Sequence, residues 1–378
     1  MDLHDSHDHR APTIGVLGSY GGLNLGDEAI LTCVLKCLRR HRPQARLVVF
    51  SRNVEHTRAH HDGLQTVSWQ RVGRERTHSA VAELDALVLG GGGILYDGEA
   101  SKYLRMVQAA HELGIPTFGY AVGAGPLRER EDRRIVRETL DGLTDLTVRD
   151  EESKLVLEDA GVTRQITVTA DPAMLLESEP FTRRMLAAEG IPLDARLVGM
   201  SVREPGRAAE HLDEASYHAL LGEVGDFLVR RLDATLVFVP MEADDVRHAH
   251  AVLSHMTAAR RGRILHGSYR PGQILGLARH LDLAVGMRLH FLMFMAMAGV
   301  PFLPLPYAGK VFDFAQAVGA PALTGVAREE AGPLLAEVDR LWDEHTTRMP
   351  QLRSRVRALR ARAALTCERY GEFIDKIG

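Results

Sequence analysis

Three arginines recur at one kind of place in the chain. Arg149 closes the run DLTVRD, Arg203 closes VGMSVRE, and Arg288 follows DLAVG in the stretch AVGMRLHFLMFMAMAGVP, with His290 two residues on. Lys310, in PYAGKVFDF, comes just after the next apolar run. Guanidinium groups grip carboxylates and phosphates through paired N–H donors, and histidine, the residue type that titrates nearest neutrality, suits proton transfer. Gathered together, such groups would bind a small, multiply charged anion and protonate an atom beside it. Local alternatives stand next to that reading: Arg149 can pair with Asp150 or Glu151, Arg203 with Glu204, and His290 can be an interior histidine with satisfied hydrogen bonds. The apolar run from Phe291 sharpens the question, because an unpaired guanidinium buried beside it would be costly.

Residues at such positions need strands that all end on one side of a sheet. TIGVLG, ARLVVFS, LDALVLGGGG, PTFGYAVG and DLTVRD read as strands, separated by helical stretches such as GDEAILTCVLKCLRRH and REDRRIVRETLDGL. ITVTADPAMLL reads as the last strand of this half. The pattern restarts with RLVGMSVRE and continues through ATLVFVPM, GRILHG, DLAVGM and VPFLPLPY. This doubling predicts an α/β fold of two Rossmann-like domains facing each other across a cleft. The expected boundaries are residues 13–178 and 179–345, with C-terminal helices over 346–378 packing back on the fold and a polar, disordered tail over 1–12. Arg288 and His290 are then expected in and just before the first turn of a helix, at the cleft and not in the core. Four glycine-rich turns, GSYGGLNLGDEAIL, LGGGGILYDGE, YAVGAGPL and VGMRLH, sit where strands end, the side on which open α/β sheets bind ligands. None has the spacing of a dinucleotide fingerprint or a P-loop.

Composition narrows the classes. The chain has 378 residues, 45% hydrophobic and 25% charged, with a net charge of -4, so it has size for two domains and lacks the basic balance of a nucleic-acid binder. The arginine-rich stretch RSRVRALRARAAL reads as a solvated helix face, although a basic surface over Arg353 to Arg362 would also favour anionic lipid and peripheral membrane association. The opening MDLHDSHDHR has no apolar core of a secretory signal, and the run Phe291 to Leu305 is shorter than the roughly 20 residues that span a bilayer. Cys33, Cys37 and Cys367 are few, odd in number and without zinc-finger spacing, which argues against a disulfide framework and fits a reducing compartment. EADDVRHAH offers Asp244, Asp245, His248 and His250, but the two histidines diverge on a helix and the aspartates suit its N-terminus, so no metal site is assigned. The expected location is cytoplasmic, at or near the inner face of the membrane.

In order and spacing, GSYGGLNLGDEAIL, LGGGGILYD, AVGAGPL, VRDEESKLVLEDAGV, TADPAMLL, SVRE, GMRLHFLMFMAMAGVP and PYAGKV resemble the polysaccharide pyruvyltransferase family, most closely the bacterial cell-wall members. The resemblance runs from Ile14 to about Gly319. It implies a GT-B-like fold and metal-independent chemistry, with phosphoenolpyruvate as co-substrate and no cofactor. The reaction implied transfers the enolpyruvyl unit to two hydroxyls of a sugar, free or lipid-linked, giving a pyruvate ketal. It further implies His290 as the catalytic acid, with Arg149, Arg203, Arg288 and Lys310 holding the donor. Asn24, Asp27, Gly91 and Gly92, from the glycine loops of the first half, are the residues expected to hold the acceptor. Two other readings remain open at this point: a GT-B glycosyltransferase with a nucleotide-sugar donor, and a non-catalytic glycan- or anion-binding module.

Overall fold

A computed structural model of the protein describes residues 11–69, 74–206, 212–305, 308–321 and 331–377, apart from the side chains of 74–77 and 331. The His-rich start of the expected tail, and Pro306 and Tyr307 of the PYAGKV motif, lie outside the described residues. The chain divides into two compact units, the first made of Met1–Gly22, Ile30–Pro172 and Arg362–Gly378, the second of Leu23–Ala29 and Ala173–Ala361.

In the first unit the strands are β1 (Thr13–Leu17), β2 (Arg46–Ser51), β3 (Gln65–Ser68), β4 (Ala86–Leu89), β5 (Gly92–Leu95), β6 (Thr117–Ala124), β7 (Asp145–Val148) and β8 (Thr167–Val168). They alternate with α1 (Leu25–His41), α2 (Val54–His60), α3 (Arg74–Ala82), α4 (Ala100–Glu112), α5 (Arg130–Asp141) and α6 (Glu151–Asp159). All pairings are parallel, in the order β3-β2-β1-β4-β6-β7-β8, with β5 alongside β6. Every residue of β1, β4 and β6 is buried, as in a parallel sheet covered on both faces by helices. The strand expected over ITVTADPAMLL is shorter than its sequence suggested: β8 is two residues long, and a single 3-10 turn over Pro172–Leu175 leads out of the unit.

The second unit repeats the plan. Its strands are β9 (Arg196–Ser201), β10 (Ala234–Phe238), β11 (Gly262–Ile264), β12 (Leu283–Gly286) and β13 (Phe302–Pro304), and its helices are α7 (Arg183–Ala188), α8 (Glu214–Leu232), α9 (Ala243–His255), α10 (Pro271–Ala278), α11 (Leu289–Ala298) and α12 (Gly309–Val318). The parallel order β11-β10-β9-β12-β13 reverses direction between β9 and β12. Helix α11 is apolar apart from His290 and buried along most of its length, and Gly299, in the left-handed conformation, ends it.

After Ala331 the chain forms one helix, α13 (Ala331–Asp375), and not several. Its last part belongs to the first unit, where Tyr370 and Phe373 pack on Phe118 of β6 with ring centroids 5.7 and 5.2 Å apart. The cysteine expectation is corrected here. Helices α1 and α13 bring Cys37 and Cys367, 330 residues apart in sequence, to a Cα separation of 5.8 Å, and the two form a disulfide, while the buried Cys33 takes no part in one. Among the described residues no helix is long and apolar enough to cross a membrane.

Candidate active site

Open α/β sheets bind ligands beyond the carboxyl ends of their strands, where the strand order reverses. In the second unit that point lies between β9 and β12. Arg203 follows β9 by two residues, and Arg288 and His290 follow β12, with the Met287 N–H donating to the Ser201 carbonyl at 3.0 Å across the two strand ends. The buried Tyr217 ring braces this corner from below, its hydroxyl donating to the Arg203 carbonyl at 3.2 Å. Lys310, partly exposed, stands in the first turn of α12, after β13.

Arg288 is the N-cap residue of α11 and is only 7% exposed. The expectation that it stands clear of the core is therefore corrected: it is buried, and its charge is met from α9. Its Nε donates to Asp245 Oδ1 and Oδ2 at 3.1 and 3.0 Å, and its Nη2 to Asp245 Oδ1 at 2.5 Å and to Glu242 Oε1. Asp245, 1% exposed, also accepts from the Met241 N–H at 2.9 Å, which closes the first turn of α9. Burial pushes the Asp245 carboxyl up, against the pull of Arg288 and the Met241 amide. At Glu242 burial also works upward, but Arg288, the Asn24 amide and the Arg203 charge outweigh it and hold the carboxyl below its ordinary range. Arg203 itself pairs with its neighbour Glu204.

The loop holding Asn24 and Asp27, expected on the first domain, clusters with the second unit instead. Asn24 explains why. Its Nδ2 donates to Glu242 Oε2 at 2.9 Å, its Oδ1 accepts from the Gly26 N–H at 2.9 Å and the Asp27 N–H at 3.4 Å, and the Leu25 N–H donates to the Met241 carbonyl at 2.8 Å. One side chain thus caps α1 and ties it to the acidic residues that hold Arg288. His290 then lies against Gly26: a Cβ on that glycine would stand 2.0 Å from His290 Nδ1. Only glycine admits the imidazole there.

In the first unit, Arg149 follows β7 and is 8% exposed. Its Nε donates to Asp150 Oδ2 at 3.2 Å and its Nη1 to Asp171 Oδ2 at 3.4 Å, and those two carboxylates raise its pKa in spite of burial. The guanidinium lies close against Gly123 of β6, since a Cβ there would meet its Cζ at 2.7 Å. Gly91 and Gly92 form the turn from β4 into β5, with Gly92 at a φ of 103° that excludes other residues at low cost.

A profile of the polysaccharide pyruvyl transferase family matches residues 24–309. The chain belongs to that family. No curated protein matches it, and the solved structures it resembles show the fold alone. A putative UDP-N-acetylglucosamine 2-epimerase from Listeria monocytogenes superposes with a TM-score of 0.64 at 14% identity, covering 91% of each chain. Anabaena HepE in complex with UDP gives 0.64 at 13% identity over 96% of this chain and 100% of that one. The UDP-GlcNAc 2-epimerase of Methanocaldococcus jannaschii gives 0.62 at 13% identity over 88% and 92%. The chain is thus α/β with the GT-B-like plan of two Rossmann-like units and a C-terminal helix. The residues that sequence reasoning missed are Glu242, and Asp245 as a partner of Arg288. The capping pattern of EADD places Asp245 at a helix start, and nothing local announces the arginine 43 residues on.

Proposed function

We propose that this chain moves the enolpyruvyl unit of phosphoenolpyruvate onto two hydroxyls of one sugar in a cell-wall polysaccharide precursor, free or lipid-linked, closing a pyruvate ketal and releasing phosphate. The observation that carries this reading is the placement of Arg203, Arg288 and His290 at the reversal point of one parallel sheet, within the residues that match the family. The donor bears a carboxylate and a phosphate on a small frame, which suits guanidinium and ammonium groups. In this reading Arg203 and Lys310 meet the anionic groups, and Arg288, fixed by Glu242 and Asp245, presents an oriented guanidinium. His290 delivers a proton to the methylene carbon. One hydroxyl then bonds to the resulting cationic carbon, phosphate leaves with the C–O bond electrons, and the second hydroxyl closes the ring. Of the two hydroxyl protons lost, one equivalent ends on the new methyl group and the other on phosphate. Asn24 acts as a positioning residue, since its side chain is committed to Glu242 and the α1 cap. Asp27 and the Gly91–Gly92 turn are the proposed acceptor contacts. The second unit's residues carry the donor assignment without Arg149.

Phosphate release on incubation with phosphoenolpyruvate and a panel of free and lipid-linked hexosamines, with detection of the ketal methyl group by NMR, tests the reaction. His290→Ala should lower turnover by about 10²–10⁴-fold while leaving calorimetric phosphoenolpyruvate affinity in place. Arg203→Ala should instead weaken that affinity. Unchanged turnover in the first variant removes His290 from the chemistry. A nucleotide-sugar donor is the second reading, favoured by the likeness to the UDP complex of HepE; tight UDP binding together with no phosphate release would select it.

A further inference from the structure

Away from Arg288, helices α8 and α9 of the second unit bring together three side chains that the proposed reaction does not use. Glu214 and His218 are four residues apart in the first turns of α8 and so share a face, and His248 projects from α9. One carboxylate oxygen and two imidazole nitrogens from these residues all lie within 4.8 Å of one another. His218 Nε2 and His248 Nδ1 face each other at 2.9 Å, and the residues are 4% and 1% exposed. A glycine makes this approach possible: a Cβ on Gly222 would stand 2.9 Å from His255 Cβ and 3.3 Å from the Val252 carbonyl oxygen, so any larger residue would push α8 off α9.

We infer that Glu214, His218 and His248 form a binding site for a divalent transition-metal ion of the zinc type. Two imidazoles and one carboxylate, leaving a position for water, are the donor set such ions take, and hard ions such as magnesium reject it. The two nitrogens, 2.9 Å apart, need to part only to about 3.3 Å to stand as neighbouring ligands around a tetrahedral ion. Burial first, and then the charge of Arg247, lower the pKa of both imidazoles, with Glu214 working the other way.

A cation already marks the place. Arg247 Nη1 donates to Glu214 Oε1 at 2.6 Å and its Nη2 lies 3.2 Å from His248 Nε2. Guanidinium only donates, so His248 Nε2 accepts, and its proton sits on Nδ1, donated to His218 Nε2. On metal binding the His248 proton moves through solvent from Nδ1 to Nε2, with no net proton lost. Arg247 then gives up both partners and, being 63% exposed, swings into water. Arg247 is therefore a competitor of the metal, and its removal should tighten binding.

The test is titration of the full chain with Co2+ alone, under non-reducing conditions, with His4, His7 and His9 replaced by alanine so that the terminal histidines contribute nothing. The visible absorption of four-coordinate cobalt and the bound equivalents are read together. One equivalent should bind. His218→Gln and His248→Gln should abolish it, Glu214→Gln should weaken it, and Arg247→Ala should tighten it by about twofold to fivefold, the worth of an exposed ion pair released. No uptake, uptake unchanged in both histidine variants, or an Arg247→Ala protein that binds no tighter would overturn the site. If a histidine variant fails to fold, the exposed pair decides: Arg247→Ala must tighten and Glu214→Gln must weaken binding.

Discussion

Arg149 and Arg288 hold comparable places in the two units, each just past the end of a parallel strand second from the edge of its sheet and each at the start of the helix that follows. They are equally buried, yet their charges are met in different ways. Arg149 takes single contacts of 3.2 and 3.4 Å, one of them from the next residue in the chain, and rests its guanidinium on glycine backbone. Arg288 is gripped through Nε and Nη2 by two carboxylates of another helix, 43 and 46 residues earlier. The comparison teaches that an arginine at a strand end signals a charged corner of the fold, while the source of the opposing charge decides how firmly the side chain is held. A guanidinium clamped from two sides is aimed; one with long single contacts has latitude.

The largest effect should come from unclamping. Asp245→Ala leaves a buried guanidinium short of its main partner and the Met241 and Glu242 amides just before α9 without that acceptor, and should cost about 3–5 kcal/mol in urea denaturation of the full chain. Asp171→Ala leaves Asp150 in place beside Arg149 and should cost about 1–3 kcal/mol. A larger loss at Asp171 than at Asp245 would reverse the contrast.

Glycines sharpen it next. Gly26→Ala drives a methyl into the His290 imidazole, a side chain that can turn aside, so the expected result is a fold retained and turnover down by about 10²-fold from misplacement of the acid. Gly123→Ala meets the Arg149 guanidinium at 2.7 Å and the Gly92 carbonyl at 2.8 Å, and the backbone oxygen cannot turn aside. That variant should lose about 1–3 kcal/mol of stability. If Gly26→Ala retains full turnover, the ring's place against α1 has no bearing on the chemistry.

The smallest effect is on acid sensitivity. The His218–His248 pair of the second unit, faced by Glu214, Arg247 and His255, and the lone His111 of the first unit all have pKa values lowered by burial. The unfolded chain therefore takes up protons first, so the stability these groups contribute is whole above about pH 6.5 and drains away as pH falls towards their folded values. Melting temperature should drop between about pH 7 and pH 5.5. His218→Gln should flatten that slope more than His111→Gln does, since a pair cannot share one buried space when charged; equal slopes would mean the pair behaves as two separate histidines.

Much of the fold was legible because parallel strands announce themselves: TIGVL, ALVL and LAVG are short and almost wholly apolar, with a glycine at or just after their ends, and each became a strand with a turn at its carboxyl end. The region from Arg52 to Ala82 was not, since α2 and α3 are polar and β3 is an edge strand whose four residues include only one fully apolar side chain. Of the candidate site, the helix start at Arg288 and His290 was visible in the switch from a polar pair to an apolar run. Its partners were not, because the carboxylates of Glu242 and Asp245 look like ordinary helix-capping residues until the sheet order puts β12 beside β9, one strand away from β10. Distance in sequence, 330 residues, hid the Cys37–Cys367 bond as well.

The first unit is assembled from three separate stretches, the last of them beginning at Arg362. Its aromatic packing around Phe118 and Tyr120 is finished by Tyr370 and Phe373. During synthesis, then, the half of the molecule made first is the half completed last: its sheet must wait with an uncovered apolar face while nearly two hundred further residues leave the ribosome, and a nascent-chain chaperone has its longest opportunity there.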